Sequence, residues 1–197
     1  MDLSNTLALM LGVAWASGVR LYATVLVLGL AGQAGIIALP APLQVLSEPW
    51  VIATAAVLCV IELLADKVPG FDTLWDALHT FIRIPAGALL AFAAAAPVDP
   101  VWQAVALLLG GSVAAASHGT KMATRALINT SPEPFSNWAA SGTEDVGVLV
   151  GLYLAFSHPW LFLALLAGFI VLVLWLLPKI WRALKAVARR IGGLTRA

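Results

Sequence analysis

Charge and cysteine are what this chain has least of. Only 11% of its 197 residues are charged, while 61% are hydrophobic. An ordinary soluble domain carries about 25% charged and 45–50% apolar residues. A soluble fold of this length has too little interior to hide so much apolar surface, whereas a bilayer removes the need to hide it. One cysteine, Cys59, lies within an apolar run, which excludes a disulfide framework inside the chain. Walker motifs and glycine-rich phosphate loops are absent, so ATP is not expected to drive work within this chain. No nucleic-acid partner is expected. The segment Met1–Asn5 has neither a basic n-region nor a cleavage site, so the first helix is expected to be retained.

What is present is a series of long apolar runs. Six reach the length of a membrane crossing, about 20 residues with a wide tolerance: 5–32, 49–66, 84–98, 101–127, 143–157 and 159–178. The expected fold class is an all-α polytopic membrane protein with one transmembrane domain, 1–178, and a basic tail, 179–197. Lysine and arginine set its direction. With the tail inside, counting spans backwards puts 67–83, 121–142 and the N-terminus inside as well. The outer segments 33–48, 99–100 and 157–158 contain no Lys or Arg, and Arg20 alone stands within a span, outside this pattern. Both termini are therefore expected in the cytoplasm of a bacterial inner membrane. Pro49-Trp50, Pro100-Val101-Trp102 and Pro159-Trp160 agree, because proline suits a first helical position and tryptophan the membrane interface.

A weak internal repeat appears at an offset of one hundred residues. Leu7, Leu9, Val13, Ala14, Ala16, Ser17, Ala23 and Thr24 recur at positions 107, 109, 113, 114, 116, 117, 123 and 124. With three spans between them, the two copies are expected to run in opposite directions, giving a 3+3 inverted repeat (1–98 and 99–178). That is an architecture of secondary transporters with the site at the repeat interface.

Ionisable groups at membrane depth mark function, since each costs a few kcal/mol against lipid (about 2.5–3.5 for Arg, Lys or Asp at a helix centre). Glu62 and Asp66 are four apart on one helix face. Asp72, Asp76, His79 and Arg83 form a stripe opposed by Phe71, Trp75, Leu78 and Ile82, so 70–83 reads as an amphipathic helix, lying on the inner surface or dipping in as a re-entrant segment. His118, Lys121, Arg125 and Asn129 share a face of the fourth span, and Ser141 to Asp145 lead into the fifth. Arg20, about 15 residues into an apolar helix, is too deep to snorkel, so a carboxylate from Glu62, Asp66, Glu144 or Asp145 is its expected partner.

Taken together, Glu62-x-x-x-Asp66-Lys67-x-Pro69, Asp72-x-x-Trp75-Asp76-x-x-His79-Thr80-x-x-Arg83, His118-x-x-Lys121-x-x-x-Arg125-x-x-x-Asn129-x-Ser131-x-x-Pro134 and Ser141-x-x-Glu144-Asp145 resemble the DUF4126 family of small bacterial membrane proteins. The resemblance implies membrane residence and these polar positions as a set; it implies no substrate. From the residues, the leading expectation is a secondary transporter for a small anion or anionic lipid, with a cytoplasm-facing cavity. Arg20, His118, Lys121, Arg125 and Asn129 would hold the substrate, while Glu62, Asp66, Glu144 and Asp145 would couple protons or ions. The rival is a membrane-embedded enzyme acting on a lipid phosphate, or a divalent-cation transporter, with the metal on Asp72, Asp76 and His79. No cofactor is expected under the first reading and a divalent metal under the second. Membrane lipids are partners under both, and a homo-oligomer is open.

Overall fold

The computed structural model describes residues 3–68, 70–96, 98–130 and 134–194, with side chains for all of these except 134, 177 and 180–194. It is all-helical: α1 (Leu3–Gln33), a 3-10 segment (Ala41–Ser47), α2 (Pro49–Ala65), α3 (Phe71–Ala94), α4 (Pro100–Ile128), α5 (Pro134–Ser157) and α6 (Pro159–Leu194). The chain divides into two compact units, 1–163 and 164–197. Prolines stand at the first turn of α2 and α4, and the Asp99 carboxylate caps α4 by accepting from the Val101 amide at 2.8 Å.

Four helices are long and apolar enough to cross a membrane: α1, α3, α4 and the 159–176 portion of α6. The 3-10 segment and α2, bent by 67°, make a fifth candidate as one broken span. The chain is thus an all-α polytopic membrane protein. The expected partition differs in three places. Residues 70–83 are not a separate helix, surface or re-entrant; they continue through Pro85 into 84–94 as one helix, α3. Helix α5 starts at Pro134 rather than 143. The tail is not a separate element either, because α6 runs on through Pro178 to Leu194. An internal proline removes one backbone hydrogen bond, and where no water competes for the backbone the helix persists around it. The tail's basic side chains beyond Lys179, together with Pro69, Ser131, Pro132 and Glu133 of the sequence motifs, lie outside the described residues.

The largest departure is in α1. Arg20 has φ −144° and ψ 84°, which is not helical, and separates two helical halves. The neighbours of each half fix its direction. A Cβ on Gly12 would meet Ala155 and Phe162, one on Gly151 would meet Trp15, and Arg20 reaches Ser141, so residues 3–19 run antiparallel to α5. Beyond the break the course reverses: Arg20 touches Asp66 at the end of α2, whereas Gly29 lies against Leu46 and Ile52 at its start. Asn5 lines the same cavity as Ala31, Ile36, Ile37 and Ser157. At about 1.5 Å per residue the halves measure ~25 and ~20 Å, so only a fold-back brings those residues together. Helix α1 is a helical hairpin with Arg20 at its tip, and both of its ends lie at the end of the first unit that carries 34–48 and 157–158. This corrects the expectation that the N-terminus and the 33–48 loop face opposite sides.

The fold-back also corrects the repeat. Ala14, Gly18 and Val19 lie beside Gly110, Ser117 and Lys121 respectively, so the two copies run side by side in the same direction, not inverted. Small residues permit this approach. A Cβ on Gly18 would collide with the Ser117 hydroxyl and the Ala114 carbonyl, and one on Gly87 would sit 2.8 Å from the Ser17 Oγ and 2.5 Å from the Ala114 Cβ. Gly18→Ala is therefore expected to lower stability by about 1–3 kcal/mol through overpacking against backbone. Gly147→Ala, with open space around the new methyl, should be close to neutral. Thermal unfolding of the two variants in detergent checks the contrast, and equal Tm values would contradict the α1–α4 crossing.

Candidate functional site

Charge at depth is tolerated when the hydrogen-bond capacity of each group is met inside the protein, and every helix of the first unit from α1 to α5 contributes to doing this. Helix α3 is inside out in the sense that matters for lipid: Asp72, Asp76, His79 and Arg83 are all buried, while Phe71, Leu78, Phe81 and Ile82 are exposed. Its stripe is turned inward and not solvated at a surface. Trp75 stacks on the His79 ring at 4.0 Å, and the ring's nitrogens reach the Trp75 carbonyl and the Tyr22 hydroxyl.

Arg83 is fully buried between two carboxylates, Glu62 of α2 and Asp76 of its own helix, the latter at 2.6 Å. Its Nη1 also lies 3.3 Å from the His118 Nδ1. The His118 Nε2 lies 2.8 Å from the Thr80 hydroxyl, and its Nδ1 lies 3.3 Å from the Gly18 carbonyl as well as from Arg83, so His118 couples α4 to both α3 and α1.

Asp66 is the hub. Its Oδ2 lies 2.7 Å from Arg20, 2.8 Å from Lys121 and 3.5 Å from Arg125. Arg20 is further bound on the α5 side, by the Ser141 hydroxyl at 2.7 Å, Asp145 at 2.9 Å and Glu144 at 3.6 Å. Its carboxylates thus come from both α2 and α5. Lys121 also meets Glu144 at 3.4 Å and Asp76 at 3.5 Å. Arg125 grips Glu144 with two nitrogens, at 3.2 and 3.0 Å, and donates to the Asp66 and Asn137 carbonyls. The break in α1 is stitched by the same groups. Lys121 donates to the Val19 carbonyl at 3.4 Å and Thr24 to the Arg20 carbonyl at 2.7 Å, satisfying acceptors that a helix end leaves open.

Asp72 stands apart from the ion pairs. It accepts from the Gly70 and Thr73 amides and from the Asn129 side chain, and Asn129 in turn accepts from Asn137 at 2.8 Å. Asn129 is thus a clamp between α4, α3 and α5. Asp72, Asp76 and His79, the alternative metal set, have separate partners, and among the described residues no three His, Cys, Asp or Glu side chains are arranged to hold a metal. Sequence reasoning passed over Asn137 and Tyr22, and gave Thr80 no role beyond its place in the family motif. Asn137 was legible in principle, since it precedes Ser141, Glu144 and Asp145 at i, i+4, i+7 and i+8.

Two features define what the cluster can do. Among the described residues five ion-paired carboxylates (Glu62, Asp66, Asp76, Glu144, Asp145) face four cations (Arg20, Arg83, Lys121, Arg125), while Asp72 is held by amides. The four cations are at most 4% exposed as residues, whereas the Glu144 and Asp145 side chains are 14% and 34% exposed. An incoming group meets acid first.

An all-α membrane domain enclosing a shared network of ion pairs, with one helix folded back at a buried arginine, is the class of protein these features define. The chain belongs to the DUF4126 family, described as a domain of unknown function, whose model matches residues 7–179. No curated protein and no solved structure matches it.

Removing the hub strands several charges at once. Asp66→Asn is expected to cost about 3–5 kcal/mol, the scale for breaking a fully buried pair. Asp145→Asn, at a partly exposed position, should cost under about 1 kcal/mol. Unfolding equilibria in mixed micelles measure both, and equal losses would contradict a network centred on Asp66.

Proposed function

We propose that this protein is a proton-coupled secondary transporter whose exchange site is the Glu144–Asp145 pair beside Arg20. The observation that carries this reading is the imbalance of the cluster. Among the described residues the ion-paired carboxylates outnumber the cations five to four, and the two accessible members, Glu144 and Asp145, are where a proton or a cargo cation would balance the excess. Buried charges of this kind in membrane proteins line proton and ion paths, and a broken helix tolerated at membrane depth is a recurrent feature of transporter sites.

The same geometry disfavours the small anion expected from sequence. Arg20, Lys121 and Arg125 are each occupied by protein carboxylates, which an anion would have to displace. A cation or a proton needs no such displacement. An enzyme working through a metal gains no support from the scattered partners of Asp72, Asp76 and His79.

Orientation follows from the α1 hairpin. The end that carries the start of α1, 34–48 and 157–158 has no Lys or Arg, while Lys67 lies at the other. The positive-inside tendency favours the network end in the cytoplasm and the start of α1 outside, unlike the cytoplasmic N-terminus expected from counting spans. The bacterial inner membrane is the setting this implies. In a Cys59→Ala background, cysteines replacing Leu3 and Gln44 should both react with an impermeant thiol reagent added outside; reaction of Gln44→Cys alone would overturn this orientation.

Transport itself is tested in proteoliposomes loaded with a pH-sensitive dye. Addition of organic monoamines and quaternary ammonium ions to wild-type vesicles should move protons, whereas small carboxylates and phosphate should not, and Asp145→Asn should reduce the flux at least tenfold. Proton movement driven by the anions, or by none of the compounds, would refute the reading.

A further inference from the structure

The fold-back of α1 leaves an opening between its two halves and α5. A cavity of about 510 Å³ lies there, lined mainly by apolar side chains from the second half of α1, from the segment that follows it and from the outer part of α5, with Asn5 and Ser157 also in its lining. Its size is that of a small-molecule site, and pockets of this kind combine apolar walls with a few placed polar groups. The α5 register supplies the polar group. Asp145, Leu149, Leu152 and Phe156 follow at i, i+4, i+7 and i+11, so Asp145 stands one turn below Leu149 on the face that lines the cavity. On the α1 side, Val27 lies two turns beyond Arg20, which holds Asp145 at 2.9 Å. The lining of the apolar cleft thus ends one helical turn short of Asp145, the most exposed carboxylate of a cluster in which acids outnumber cations.

We infer that this cleft binds a hydrophobic monovalent cation, with its charge at Asp145 and its apolar body against Val27, Ala31, Leu149, Leu152 and Tyr153. Charge selects the sign, because the groups around Asp145 are Arg20, which is already shared with Asp66 and Glu144, the neighbouring Glu144 itself, Lys121 bound to Asp66 and Glu144, and Cys59 across on α2. An anion entering the cleft would meet two carboxylates before any free guanidinium. Apolar area selects the body, since a small hydrated ion leaves the walls uncovered. Tyr153 and Phe156 add aromatic surface that attracts a cation. This inference rests on the proton-exchange reading, because the cation and a proton compete for the same carboxylate: binding releases a proton where Asp145 was protonated, and acid weakens binding.

Equilibrium binding to the full chain in detergent tests it with three probes matched in charge or in body: tetraphenylphosphonium, tetramethylammonium and tetraphenylborate. Tetraphenylphosphonium should bind at least tenfold more tightly than either of the others. Asp145→Asn and Leu149→Trp, the latter filling the cleft, should each weaken it at least tenfold, and Asp145→Glu should recover part of the loss. Equal binding of tetraphenylphosphonium and tetraphenylborate would overturn the inference, since an apolar cleft alone would explain it, and so would binding unaffected by Leu149→Trp. Tetraphenylphosphonium binding without pH dependence would support the cleft but refute proton exchange. Proton flux driven by tetramethylammonium but not by tetraphenylphosphonium would preserve the transporter and remove the cleft as its cargo site.

Discussion

A guanidinium taken out of water must be given back what water supplied, and the tip of α1 depends on that replacement. Arg20 has its nitrogens surrounded by Asp66, Asp145, Glu144 and Ser141, and the backbone carbonyls freed by the break at this residue are taken up by Lys121 and Thr24. Break and charge cluster support each other. The open carbonyls would be costly in lipid without the cations, and the cations would be costly without the carboxylates that α2 and α5 bring. The course of α1, the placement of α5 and the burial of the Asp66 carboxylate are aspects of one arrangement.

The rest of the first unit provides close packing around that arrangement. The most extensive helix contacts are between α3 and α4, with α1 against both. They are made by Gly87, Ala91, Gly110, Ala114 and Ser17, whose small side chains let backbones approach. Lipid tails are as apolar as leucine, so large apolar residues gain little by turning inward. They face outward instead, as Leu78, Phe81, Leu108 and Val146 do.

How much of this was legible in the sequence differs by feature. The helical class, the course of α4 and the set of polar positions followed from composition and from spacing of three, four and seven residues. That Arg20 needs an acid followed from the cost of an arginine at depth, and the acids lie on the two helices expected. The reversal at Arg20 was not legible, because hydropathy integrates along the chain and a hairpin of two apolar halves sums like one long span. The same blindness turned a parallel pair of segments into an inverted repeat. Pro85 and Pro178 misled in the other direction, since a proline ends a helix in water more readily than in a medium where the backbone has no other partner. The joint role of the cluster was visible only in part: acids and bases at helical spacing look alike in sequence, and it is their unequal exposure that distinguishes acids from cations here.

The hairpin also constrains the order in which the protein can be assembled. Synthesis delivers Arg20 before any of the acids that satisfy it: Asp66 lies forty-six residues later, and Glu144 and Asp145 follow more than one hundred and twenty residues after it. Until α2 emerges, residues 3–33 form two apolar half-helices joined at an unpaired guanidinium, with carbonyls at the tip that only α4 and Thr24 close. An unpaired arginine there costs about 2.5–3.5 kcal/mol on the insertion scale, a cost relieved only when α2, α4 and α5 bring their groups to the tip, so the first element made is among the last to be satisfied.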